Sequence, residues 1–195
     1  MEAVDEYTPL NLINDQKAEW KVRVKVHITC KKTYWKNPNN ASSLEMILVD
    51  YEGNKIRAAI DKPGMAYWGN TFTEGHHFEM SSFGVAKQDD DVPLIPHAFK
   101  IHILRSSKVR KTDAFDVQRD VFRVVNYDDV NQRTLKSDEI FDVLGKLVEL
   151  NPLRVTRSKG MDTKCIEFKL QDRRFFKYKS QLIHLKFKNT FKIQC

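Results

Sequence analysis

Residues 19–35, EWKVRVKVHITCKKTYW, alternate almost without a slip. That alternation constrains the chain more than any other feature. Trp20, Val22, Val24, Val26 and Ile28 fall on one side, and Lys21, Arg23, Lys25 and His27 fall on the other. A period of two belongs to a half-buried β-strand, because successive side chains of an extended backbone point to opposite faces. The apolar side needs a core. The other side carries three fixed positive charges and no acid, whereas a merely solvated face usually mixes signs.

The segments that follow keep the strand texture. CKKTYWKNPNNASS reads as a polar loop. LEMILVDYEGNKIRAAI reads as a hairpin: an apolar run over 44–50, a DYEG turn with Gly53 available for a positive φ, and alternation over 55–60. Ile56, Ala58 and Ile60 point one way, Lys55 and Arg57 the other. In DKPGMAYWGNTFTEG, Pro63 and Gly64 end the strand. Met65, Trp68 and Phe72 then line one side of a short helix that Gly75 closes. HHFEMSSFGVAK and HAFKIHIL are two more strands around the loop QDDDVPLIP. The chain is therefore mostly β. Five short strands with a short helix between strands three and four is the order of an oligonucleotide/oligosaccharide-binding (OB) barrel.

At 195 residues the chain has room for one large domain or two small ones, with a sizeable core. No apolar run reaches the length of a membrane span, and the acidic start MEAVDEYTPLNLINDQ does not read as a signal peptide. Cys30, Cys165 and Cys195, odd in number and widely spaced, fit neither a disulfide framework nor a zinc knuckle. A reducing intracellular compartment is expected, and the sequon at Asn40 is then silent. The net charge of +7 is unevenly spread: −4 over residues 1–16, +5 over 17–110, −3 over 111–150 and +9 over 151–195. Two basic blocks around an acidic one suggest contact with a polyanion, although lysines that only keep a surface soluble give the same totals.

No catalytic constellation emerges. His27, His76, His77, His97, His102 and His184 are scattered, and Asp89–Asp91 lack the glycine and distal glutamate of a calcium loop. There is no nucleophile motif and no phosphate-cradling glycine loop. The expectation is a protein without enzymatic activity, metal or cofactor. An OB barrel instead binds single strands through a positive groove and aromatic faces on which bases stack. The candidates are Lys21, Arg23 and Lys25 on the first strand, Lys31, Lys32, Tyr34, Trp35 and Lys36 in the first loop, and Lys55 and Arg57 on the hairpin. Trp20 is expected in the core, Trp68 and Phe72 at the barrel's end, and Phe83 and Phe99 as core filling. Trp35, an aromatic among lysines in a polar loop, has the most functional setting. The basic tail RFFKYKSQLIHLKFKNTFK either packs against a barrel or forms a cationic, stacking strip.

Trp20, Trp35, the hairpin LEMILVDYEGNKIRAAI, EGHHFEMSSFGV and HAFKIHIL resemble the tandem OB domains of the replication protein A large subunit, and more closely the plant proteins related to it. The resemblance covers residues 17–110 as one OB domain, with 111–136 as linker. A weaker likeness follows: FRVVNYDDVNQRTLKSDEIFDVLGKLVEL to the linker and first strand of the next OB domain, and KCIEFKLQDRR to its second strand. In SDEIFDVLGKLVEL, Ile140, Phe141, Leu144, Leu147 and Val148 also make a helical stripe, but the resemblance favours a strand. Residues 137–195 lack the family's third-strand tryptophan and helix, so the second OB-like region is truncated or divergent. It leaves an open sheet edge for a protein partner.

The resemblance implies binding of single-stranded DNA, with RNA as the other candidate, in DNA replication, repair or recombination in the nucleus. It carries a nucleic-acid contact onto Arg57 and a loop contact onto Trp35. Asp61 and the neighbourhood of Val92 stand where the family has stacking phenylalanines. The rival expectation is an OB protein-interaction module that has lost nucleic-acid binding.

Overall fold

The computed structural model describes residues 7–17, 19–34, 37–88, 95–118, 124–126, 128–129, 142, 145–158, 161–171 and 181–187. The chain divides into two units, residues 1–121 and 122–195.

In the first unit a 3-10 turn, Leu10–Leu12, precedes strands β1 (Lys21–Tyr34), β2 (Asn37–Val49) and β3 (Lys55–Asp61). Helix α1 (Lys62–Trp68) follows, then β4 (His77–Ser81), β5 (Gly84–Lys87), β6 (Phe99–His102) and β7 (Lys108–Thr112). The sheet runs β5-β6-β3-β2-β1-β4-β7. Its two ends are one structure, because β4 continues into β5 and β6 continues into β7. β5 pairs antiparallel with β6 and β4 with β7, while β6 lies parallel to β3 and β4 antiparallel to β1. The path therefore closes as a five-stranded barrel, strand four being β4–β5 and strand five β6–β7. The two broken strands are sealed at their kinks. Ser82 takes a φ of 55°. The buried Ser107 hydroxyl accepts from Leu104 N–H at 2.9 Å and donates to Ser82 O at 3.2 Å.

Inward positions of every strand meet in one core: Val22, Val24 and Val26, then Met46 and Leu48, Ile56, Ala58 and Ile60, Phe78, Met80 and Ile101, all at most 2% exposed. Trp20 joins them, as does Phe83, whereas Phe99 is only half-buried. The barrel is plugged at both ends. Asp61, the last residue of β3, caps α1 by accepting Gly64 N–H at 3.0 Å. Pro63 and Gly64 thus begin the helix rather than end the strand. Phe72 lies beyond the helix but is buried against the core with Met65 and Trp68 beside it. At the end where β3 begins, the 3-10 turn inserts Leu10 and Ile13, both at most 2% exposed. Leu10 N–H donates to Asp50 Oδ2 at 2.8 Å and Leu10 O accepts from His97 Nε2 at 3.0 Å. Gly53 has the expected positive φ, 88°.

Two expectations about β1 fail. Its alternation breaks at His27, where the register shifts so that Val26 faces Leu48 but Ile28 faces Ile47. Ile28 is turned to the outer face and is 40% exposed. The cause is local: β1 leaves β4 at Val26, whose N–H and C=O still bond to His76 and Gly75. Thr29 N–H and Oγ1, past the end of that ladder, find the Glu74 carboxylate at 2.8 and 3.1 Å. The described residues of the stretch read as a polar loop, 30–34 and 37–43, likewise continue β1 and β2, paired from Ile28↔Ile47 to Tyr34↔Asn37. Backbone pairing across the hairpin outweighs the poor strand propensity of its Asn and Ser residues.

The second unit contains β8 (Lys146–Leu150), β9 (Arg154–Ser158), β10 (Met161–Gln171) and β11 (Gln181–Phe187). β8 and β9 lie end to end along one edge of β10, with β11 on the other. They are one strand interrupted at Asn151-Pro152-Leu153, where Pro152 has no N–H to donate. Lys146–Leu150 is strand, not helix. The sheet is a three-strand antiparallel meander, and Val148, Leu150, Leu153 and Val155 on its first strand are 45–65% exposed.

Candidate nucleic-acid interface

On the outer face of β2, β3 and β6 the register lines up cross-strand rows. Lys32, Ser43 and Asp61 form one row. Cys30, Glu45, Ala59 and His102 form the next, and Ile28, Ile47, Arg57 and Lys100 the third. Lys25 and Lys55 share a fourth row across Val49. The half-barrel is thus a ridged surface whose cations, Lys25, Lys32, Lys55, Lys100 and Arg57, are set against Glu45 and Asp61.

Arg57 is not a projecting lysine-like charge. It is 7% exposed, and its Nε donates to Glu45 Oε2 at 2.9 Å, with Ser43 Oγ donating to Glu45 Oε1 at 3.0 Å. It is a fixed charge within this face. Removing one member of a buried pair leaves the other charge uncompensated. Arg57→Ala should therefore cost about 3 kcal/mol of stability by urea denaturation, and Arg57→Met with Glu45→Gln should recover most of it. A loss below 0.5 kcal/mol, on the order of a surface substitution, would contradict this role.

The ten sequence candidates separate in space. Lys32, Lys55 and Arg57 face the β2–β3–β6 surface, and Lys25 joins its edge. Lys31 pairs with Leu44 on the opposite side of the hairpin. Tyr34 ends β1 opposite Asn37, and its side chain, like Trp35 and Lys36, lies outside the described residues. Lys21 and Arg23 belong to another face, opposite Ser81 and Glu79 of β4, which in turn face Lys108 and Arg110 of β7. There Lys21 Nζ sits 5.0 Å over the Tyr7 ring. Arg23 stacks 5.5 Å over Phe115 and donates to Asp113 O at 3.2 Å. Residues 113–118, read as linker, run along the barrel. Glu79 is held below its ordinary pKa by a hydrogen bond from Tyr7, against burial, and further by Arg110 and Thr112.

His77, one of the scattered histidines, is buried on this face with Phe115 at 4.6 Å. Its pKa is pushed below 6.5, first by burial and then by Lys25, against a backbone hydrogen bond at Phe115. Folded His77 therefore binds fewer protons than unfolded His77. Its contribution is complete above about pH 6.5 and shrinks as pH falls through the depressed value. The urea midpoint should drop between about pH 7.5 and about pH 5.5, and His77→Phe should flatten that drop. An unchanged profile in the variant would assign the acid sensitivity elsewhere.

Sequence reasoning missed Lys100 and His102. Their alternation in HAFKIHIL was visible, but the parallel pairing that sets them beside Arg57 and Ala59 was not. Among the described residues no group of three or more His, Cys, Asp or Glu is placed to hold a metal ion, and no helix is long and apolar enough to cross a membrane.

Residues 11–132 match the family model described as Domain of unknown function DUF223. No curated protein matches the chain. Among solved structures, a replication protein A heterotrimer bound to single-stranded DNA matches with a TM-score of 0.68 at 18% identity, over 93% of this chain. The chain spans 41% of the length of the chain it matches there. DNA-binding domain A of Saccharomyces cerevisiae replication protein A matches at a TM-score of 0.44 and 13% identity, over 56% of this chain and 96% of that one. The first of these likenesses shows a shared fold. With a family model covering the entire barrel and that fold closed strand by strand above, the chain belongs to the DUF223 family and has the OB architecture of replication protein A.

Proposed function

We propose that the first unit binds single-stranded nucleic acid, DNA in preference to RNA, across the outer face of β2, β3 and β6, without catalysis. The observation that carries this is the alignment of Lys25, Lys32, Lys55 and Lys100 around the Arg57–Glu45 pair, on a face that the long β1–β2 hairpin extends. Rows of cations from adjacent strands suit a polyanion whose charges repeat, and the fold's known use of such a face supports the choice. The described part of this face has no Phe, Tyr or Trp, and His102 brings an imidazole, so phosphate neutralisation dominates and further stacking falls to Tyr34 and Trp35. Low sequence specificity follows, because phosphate contacts carry no base information. The same reading sets the protein in the nucleus, in DNA replication, repair or recombination.

Fluorescence anisotropy of a labelled oligonucleotide against the full chain tests this. Micromolar or tighter binding should weaken with salt at a log–log slope of about −0.7 per phosphate neutralised. No binding at low salt would end the proposal. It would favour a second reading, a protein-interaction module, to which the exposed Val148, Leu150, Leu153 and Val155 on the edge strand of the second unit lend support.

A further inference from the structure

The surface at the α1 end of the barrel has a combination that the groove lacks. Tyr67, the penultimate residue of α1, is 58% exposed although its neighbour Trp68 packs on the core. Trp68 is fixed by its Nε1–H donating to Leu104 O at 2.9 Å, and the two rings meet edge-on at 4.6 Å. The guanidinium of Arg105, in the turn between β6 and β7, lies 5.8 Å from the Tyr67 ring centre. Beside them opens a cleft of about 510 Å³, lined by Trp68, Ser107 and the charged side chains of Lys21, Lys108, Arg110 and Glu79. Glu79 is engaged by Arg110, Thr112 and Tyr7, so besides that paired carboxylate the cleft carries Lys21 and Lys108, with Arg105 at the Tyr67 ring.

We infer that this surface, Tyr67 with Arg105, Lys108 and the cleft behind them, is a second contact for single-stranded nucleic acid, distinct from the β2–β3–β6 face. The inference rests on the reading of the barrel as a single-strand binder and extends the bound length beyond the groove. The occupant follows from chemistry. Three cations beyond the Arg110–Glu79 pair, namely Lys21, Lys108 and Arg105, select an anionic chain. The Tyr67 ring, set edge-on to Trp68 with the Arg105 guanidinium over one face, leaves an exposed side on which an unpaired base can stack. A duplex keeps its bases stacked on one another, and an acidic peptide brings no flat partner for Tyr67. No residue of this surface belongs to the groove rows.

The test uses the full chain and labelled oligothymidylates of about 10 and about 30 nucleotides, the shorter within the site size of one OB barrel. Tyr67→Ala should weaken binding of the longer oligonucleotide about tenfold with no change in salt slope, as loss of one stacked base predicts. Arg105→Gln with Lys108→Gln should weaken it and flatten the slope by about 1.4, two phosphates' worth. Both variants should bind the shorter oligonucleotide as the wild type does and melt at the wild-type temperature, since the altered residues are exposed. Wild-type affinity of both variants for the longer strand would overturn the inference and leave the groove reading intact. Displacement by poly-aspartate that is as strong as by oligonucleotide and indifferent to Tyr67 would also overturn it, in favour of an acidic-peptide surface. A wild-type protein that binds neither oligonucleotide would take down both readings together.

Discussion

Reversing two charges on the β2–β3–β6 face, Lys32→Glu with Lys100→Glu, should weaken single-strand binding about 100-fold and flatten the salt slope by about 1.4. The size follows from contact energetics. A hydrogen bond to a charged group contributes roughly 1.5–3 kcal/mol, and two such losses are at least two decades of affinity. The positions are chosen because they stand at opposite sides of the same outer surface, Lys32 opposite Ser43 on β2 and Lys100 opposite Arg57 on β3. Neither is in the core, so the melting temperature should hold. Anisotropy titrations at several salt concentrations read both quantities. Binding that keeps its wild-type affinity and slope would move the site off this face.

The second large effect is on stability. Asp50→Ala should lower the unfolding free energy by about 3 kcal/mol. Asp50 is 6% exposed, and its carboxylate accepts three hydrogen bonds: from Leu10 N–H at 2.8 Å, Asn54 N–H at 2.8 Å and Asn54 Nδ2 at 2.9 Å. Alanine orphans a buried backbone donor at Leu10 and loosens the β2–β3 turn at once. It also unfastens the 3-10 turn that carries Leu10 and Ile13 into the barrel's end, exposing apolar area that stabilises the fold by roughly 25 cal/mol per Å². Asp50→Asn keeps acceptor capacity and should fall between the two. Urea denaturation gives the energies, and hydrogen exchange at Leu10 gives the local opening. A loss under about 1 kcal/mol would show that the plug is held by packing alone.

How much of this was readable in advance differs from element to element. Val22, Val24 and Val26 could be assigned to the core from spacing alone, because a strand has only two faces and one of them was uniformly apolar. The DYEG turn was equally plain, since Gly53 supplies a φ that other residues resist. Asp61 is a different case. Its position showed only that a stacking aromatic is absent, whereas the structure gives it a structural task, capping α1 through Gly64. Ile28 misled because a bulge changes the face without changing the residue pattern. The N-terminal segment looked like an acidic tail, and nothing in its charge announced that Leu10 and Ile13 would fill the barrel's end.

Alternation, turn chemistry and the strand–helix order are local properties, and the sequence by itself determined them: a β-rich chain, its inward residues and an OB-like succession of elements. Pairing between distant strands was decided only by the tertiary structure. The parallel β3–β6 contact placed Lys100 beside Arg57, and the closure of β4 on β7 took Lys21 and Arg23 away from the groove and set them near Lys108 and Arg110. Pairing of β2 with β3 set Arg57 against Glu45, and Tyr67 stayed exposed while its neighbour Trp68 packed on the core. A strand's own pattern fixes which side of the sheet a residue takes. Which neighbours share that side depends on register across tens of residues, where hydrogen-bond satisfaction and core packing choose among alignments that the local pattern treats alike.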